Sequence, residues 1–177
     1  MDKISEFYRA AKEGDLDKVK NLNENCLKLS IRVSSSILNH ALNRSIVNGH
    51  LNVVKYFIGL ECYDEKMLYD ALSFSITSRR AEIIKYFVNS GLDPKRCEDS
   101  LKTCVFLGYI STIEYLTSLG CDFAKEKLHT GHTIFGAKIS PLNAYNLTII
   151  NCLDKLGWDF KKEIPKFNQI SDLIKLR

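Results

Sequence analysis

A short pentad of apolar and polar residues returns along the chain at near-regular intervals. Val53-Val54-Lys55-Tyr56-Phe57, Ile83-Ile84-Lys85-Tyr86-Phe87 and Thr112-Ile113-Glu114-Tyr115-Leu116 begin 30 and 29 residues apart, and a fainter copy, Ile149-Ile150-Asn151-Cys152-Leu153, follows 37 residues later. The same register runs back to Lys18-Val19-Lys20-Asn21-Leu22, 35 residues ahead of Val53. Each copy places apolar residues at i, i+3 and i+4, as in Val54, Phe57 and Ile58, the one-sided stripe of a short helix packed against neighbours. Self-similarity at such a period predicts a stack of like units, each too small to bury its apolar face alone.

Upstream of each pentad a second amphipathic segment is expected, marked by Phe7, Ala10 and Ala11, by Leu42, Ser45 and Ile46, by Leu72, Ser75 and Ile76, and by Leu101, Cys104 and Val105. A small residue stands one place before the last of each trio, where two helices must approach closely. Gly14-Asp15, Gly49-His50, Arg79-Arg80 and Gly108-Tyr109 join the two helices of each unit. Glycine suits the position after a helix because left-handed backbone angles cost it little, and Arg79 is the exception. The second helices end in Gly91-Leu92-Asp93, Gly120-Cys121-Asp122 and Gly157-Trp158-Asp159, with Glu61-Cys62-Tyr63 as the degenerate member.

These residues carry a resemblance. Gly49-His50-Leu51-Asn52-Val53-Val54-Lys55-Tyr56-Phe57 resembles the Gly-His-Leu-Glu-Val-Val-Lys-Leu-Leu core of an ankyrin repeat, and the Gly-x-Asp endings resemble its Gly-Ala-Asp. The likeness covers roughly residues 3 to 160. The Lys-Tyr-Phe endings, with Ala41-Leu42 and Ala71-Leu72 ahead of them, look like the divergent ankyrin proteins of large DNA viruses. The fold this implies is an all-α solenoid of about five helix pairs, in units near 3–28, 34–63, 64–93, 94–123 and 131–160, followed by a C-terminal capping helix or tail over 161–177. An ordinary ankyrin unit runs 33 residues and includes a projecting hairpin finger. Units of 29 and 30 are too short for that finger. Asp93-Pro94 is expected to supply the N-cap and first position of the next helix directly, and Asp64-Glu65 to do the same one unit earlier. Gly131-His132-Thr133, in the longer stretch 124–143, resembles the opening of a conventional finger. Pro141 is expected to start or interrupt the helix that leads into the last unit.

Composition narrows the function classes. Of 177 residues, 45% are hydrophobic and 26% charged, close to ordinary globular usage, so disorder is not expected. The net charge of +4 comes from 25 basic and 21 acidic residues that are interspersed, which argues against nucleic acid. Apolar runs stop short of the ~20 residues a membrane span needs, and Met1-Asp2-Lys3-Ile4-Ser5-Glu6 lacks the apolar core of a signal peptide. We therefore expect a protein of the cytoplasm, of the host cytoplasm if viral, that is neither membrane-bound nor secreted. Six scattered cysteines without a C-x-x-C pair agree with a reducing compartment, where the sequon Asn146-Leu147-Thr148 is silent. Cys62, Leu92, Cys121 and Trp158 fall at one repeat position and are expected to bury between units.

No catalytic constellation emerges. His129 and His132 form the one close histidine pair, and a metal would need two further ligands. His50 reads as a turn residue. Phosphate loops, nucleophile elbows, zinc-protease helices and dinucleotide fingerprints are all missing from the sequence, so neither an enzyme nor a cofactor is expected. Function is expected on the concave face that the resemblance implies, at the residues ending each first helix: Lys12 and Glu13, Val47 and Asn48, Thr77 and Ser78, Phe106 and Leu107. Phe106, Leu107 and Tyr109 make an apolar patch where the family is usually polar, with Arg79 and Arg80 one repeat away, and aromatics beside arginine are typical of interface hot spots. The expected activity is capture of a protein partner by a monomeric scaffold. Two alternatives stay open: a ubiquitin-ligase adaptor acting through Glu163-Ile164-Pro165 to Leu176, and a self-assembling repeat protein.

Overall fold

The computed structural model describes residues 3–28, 35–60, 62–121 and Lys155. The fifth unit, the 124–143 stretch, the His129/His132 pair, the sequon and the C-terminal segment lie outside the described residues, Lys155 apart. Every regular element among the described residues is helical. In chain order they are α1 (Lys3–Glu13), α2 (Leu16–Lys28), α3 (Ser35–Asn48), α4 (Leu51–Ile58), α5 (Glu65–Thr77), α6 (Ala81–Asn89), a 3-10 turn (Pro94–Arg96), α7 (Glu98–Leu107) and α8 (Ile110–Ser118). The all-α expectation holds, and no strand is present among the described residues.

The chain divides into two compact units, residues 1–100 and 101–177, the boundary falling inside α7. In the first unit the helices pair as α1 with α2, α3 with α4 and α5 with α6. Between pairs, α3 packs on both α1 and α5, while α4 packs on both α2 and α6. Like helices thus contact like helices, and each pair leans on its neighbour in sequence. In the second unit Leu101, Cys104, Ile113, Leu116 and Cys121 are buried.

One turn recurs. Gly14, Gly49 and Gly108 adopt φ of 79°, 81° and 64°, and Arg79 adopts 59°. The next residue in each case sends its amide back five positions, Asp15 to Ala10, His50 to Ser45, Arg80 to Ser75 and Tyr109 to Cys104, at 2.9–3.1 Å. This bond closes the helix end on an otherwise orphaned carbonyl. Its acceptors are the small residues of the sequence pattern, all of them buried. Ser45 and Ser75 can be buried there because each hydroxyl donates to the carbonyl three residues back, Leu42 and Leu72, at 2.7 Å.

The trios of the first helices are buried as expected, Val105 aside, whose side chain is not described. The second-helix stripe differs. Val53, Val54 and Phe57 are buried with Ile58 only half-buried, and Ile83, Ile84 and Phe87 repeat this, so the buried set is i, i+1 and i+4. The buried arc has the same width of about 100° as the expected one and is rotated by about 40° toward Val53 and Ile83.

The entries into the first helices split. Asp64 N-caps α5, its carboxylate accepting from the Met67 amide at 2.7 Å. Asp64→Ala should lower stability by about 1 kcal/mol, read as a lower urea midpoint at unchanged m-value. Asp93 caps instead the 3-10 turn that Pro94 opens, and α7 begins only at Glu98, which corrects the expectation of an immediate helix. Pro94 is buried and Arg96 is held over the Tyr69 ring at 4.1 Å, which fixes the turn as a separate piece. Cys62 is also corrected: it is exposed, whereas Cys121 is buried and Leu92 half-buried. Left-handed Gly91 and Gly120 steer Leu92 and Cys121 inward, while Glu61 replaces the glycine before Cys62, and Tyr63 is half-buried instead.

Candidate protein-binding surface

The sequence places the candidate surface where the first helices end. On α3, Val47 is 41% exposed, one of the few large apolar side chains left open to solvent among the described residues. Asn48 beside it is exposed, and its amide donates to the Arg44 carbonyl at 2.8 Å. On α5, Thr77 is half-buried with its hydroxyl on the carbonyls of Ser73 and Phe74, at 3.2 and 3.1 Å. Ser78, also half-buried, caps that helix through its amide, and Arg79 is exposed at the left-handed turn. The polar members thus return hydrogen bonds to their own helices, and Val47 presents bare hydrocarbon. In the second unit Leu107 is 38% exposed at the end of α7, and Tyr109 is half-buried at the following turn. Phe106 lies on α7, and its side chain is not described.

Arg80 is not the free cation that its local sequence suggests. Its guanidinium donates to the Val47 carbonyl, 33 residues earlier, and its Nε is buried without a hydrogen-bond partner among the described residues. His50 does the equivalent one unit earlier, with Nε2 at 2.8 Å from the Lys12 carbonyl. The residue after each of these turns therefore reaches back to the preceding first helix and ties adjacent helix ends together. It joins the row Lys12, Val47 and Thr77 into one edge of the first unit. The local sequence cannot show such bonds, since they span 38 and 33 residues.

One feature of this face has no counterpart in the repeat pattern. Tyr8 of α1 lies against His40 of α3 at 5.2 Å between ring centroids, and the Arg44 guanidinium stands over the same Tyr8 ring at 5.5 Å. His40, Arg44 and Val47 are spaced i, i+4 and i+7, which puts them in one stripe of α3. The signal available in the sequence was the absence of any acidic residue from Ser35–Asn48.

Elsewhere, an open depression of roughly 300 Å³ is lined by Ser73, Arg96, Cys97, Glu98, Asp99 and Ser100. Burial pushes the Cys97 thiol up, and pushes Cys104 up to about 12, so both are held protonated at neutral pH rather than as nucleophilic thiolates. Among the described residues no cluster of His, Cys, Asp and Glu is arranged to hold a metal ion, and no helix is long and apolar enough to cross a membrane. Compared with known proteins, the chain matches no family model, no curated protein and no solved structure.

Proposed function

We propose that the chain is a non-catalytic, ankyrin-like α-solenoid that holds a partner protein at the ends of its first helices, as a monomeric adaptor of viral type acting on host factors in the cytoplasm. The observation that supports this reading is the repeated turn. Four helix ends close on a buried small residue through the same bond, and at 14, 49, 79 and 108 the chain takes the same left-handed step. In the first unit His50 and Arg80 tie neighbouring ends into one edge, and a repeat scaffold keeps its core while varying what such ends carry. Here they carry exposed Val47 in one unit and exposed Leu107 in the other.

Affinity capture from the relevant host cell tests the reading. Val47→Ser, and separately Phe106→Ser with Leu107→Ser, should each weaken capture about tenfold, ~1.4 kcal/mol, with the helical circular dichroism unchanged. Folded variants that capture the same proteins as the parent chain would remove the helix ends as the binding site.

A further inference from the structure

Resting on that reading, we infer that the partner presents an acidic segment, received by a basic stripe across α1 and α3. The stripe is built from Arg9 and Lys12 on α1 and from Arg44 on α3, with His40 beside them. Arg9 and Lys12 are exposed, three residues apart, and share a face of α1. Arg44 is brought to that face by its contact with Tyr8.

The charges around this stripe offset it only in part. Two ion pairs join described residues, Lys18 with Glu6 and Arg96 with Glu65, so Arg9, Lys12 and Arg44 have no carboxylate at ion-pair distance among the described residues. Glu6 and Glu13 are the acidic residues of α1, seven residues apart and therefore on one side of it. Glu6 is taken by Lys18 at 2.9 Å on the α2 side, and Arg9, three residues after Glu6 and four before Glu13, is partly offset by them, which leaves Lys12 and Arg44 as the main carriers of the charge. α3 contributes no acid, and on α5 Lys66 and Asp70 offset each other. What remains across α1 and α3 is an excess of positive charge.

The form of Arg44 points to carboxylates. An arginine held over an aromatic ring at cation-π distance still offers its planar fork for bidentate pairing with a carboxylate. Val47, one turn further along the same stripe, supplies an apolar contact beside it. A short basic patch next to exposed hydrocarbon fits an acidic peptide that also carries an apolar side chain. A nucleic acid would draw on a longer basic track.

The test uses the full chain and a short fluorescein-labelled peptide of repeated Glu-Glu-Leu, followed by fluorescence anisotropy. Binding should weaken with added salt, and should vanish when Gln replaces Glu in the peptide. Arg44→Ala should weaken it about tenfold and Arg44→Lys by less, because the charge survives and the planar fork does not. Lys85→Ala, an exposed cation on α6, should leave it unchanged. Arg9→Ala and Lys12→Ala provide the same comparison should Arg44→Ala fail to fold. The inference is overturned if the peptide does not bind, if Lys85→Ala weakens binding as much as Arg44→Ala, or if a labelled oligothymidine of equal charge binds more tightly. Should host-protein capture still depend on Val47 in that event, the scaffold reading stands and the acidic segment alone is lost. Conversely, peptide binding that depends on Arg44, beside capture indifferent to Val47 and Leu107, would keep the basic stripe and remove the helix ends.

Discussion

Phe57→Ala is expected to lower the unfolding free energy by about 3–5 kcal/mol, the largest effect of any single truncation we anticipate. Phe57 belongs to α4 and is completely buried. Its ring meets that of Phe7, on α1 of the preceding pair, edge to face at 5.8 Å and 86°. Truncation therefore leaves a cavity between two helix pairs and also removes an aromatic contact worth about 0.5–1.5 kcal/mol beyond its area. Domains of this size have about 5–15 kcal/mol in total, so the variant should melt far below the parent or fail to fold. Phe57→Leu, which nearly conserves volume, should lose less than about 1.5 kcal/mol. Urea unfolding of both variants separates the outcomes. Equal, small losses would mean that the interface between the first two pairs is not where stability resides.

Gly14→Ala should cost about 2–3 kcal/mol, unusual for an alanine placed at a helix end. A left-handed φ of 79° costs an L-residue about 1–2 kcal/mol. The added Cβ would also stand 2.5 Å from Nδ1 of His50, far inside contact distance. To clear it the imidazole must swing away and give up its bond to the Lys12 carbonyl, a further ~1 kcal/mol. Gly91→Ala isolates the first contribution, because Gly91 is left-handed at 96° with nothing within 4 Å of the new atom. The difference between the two variants should shrink when His50 is replaced by Ala in both. If Gly14→Ala and Gly91→Ala lose the same amount, the close approach of His50 to the turn is not part of the folded state.

Much of the fold was legible in the sequence, and for an identifiable reason. The turn at 14, 49, 79 and 108 and the small residues at 10, 45, 75 and 104 are local signals, because both are set by the backbone within six residues. Even Arg79 is placed correctly by its neighbours: it alone takes a left-handed φ without being glycine among the described residues. The Asp64 cap was legible for the same reason. The errors arose where distance along the chain matters. The Pro94 turn is set against Tyr69, which both underlies Arg96 and accepts from the Asp93 amide at 3.2 Å, 24 residues away. Arg80 reads as a free cation until the Val47 carbonyl is brought beside it. The second-helix stripe is rotated by about 40° from the expected one because α4 also packs on α2 and α6, which periodicity in a single segment does not register.

The candidate surface was legible only in part. Val47 and Leu107 follow from position in the repeat, since an apolar residue at a helix end that faces solvent stands out against the buried stripe. The Tyr8, His40 and Arg44 cluster requires α1 and α3 side by side, and the absence of acidic residues from Ser35–Asn48 is the one trace of it in a single helix.

Hydrogen–deuterium exchange of the chain, with and without its captured partner, asks whether the first helices carry the binding surface. New protection is expected at residues 44–48 and 77–80, with the second-helix segments 52–56 and 82–86 unchanged. Protection confined to those second-helix segments would place the partner elsewhere and contradict the role given to the first helices.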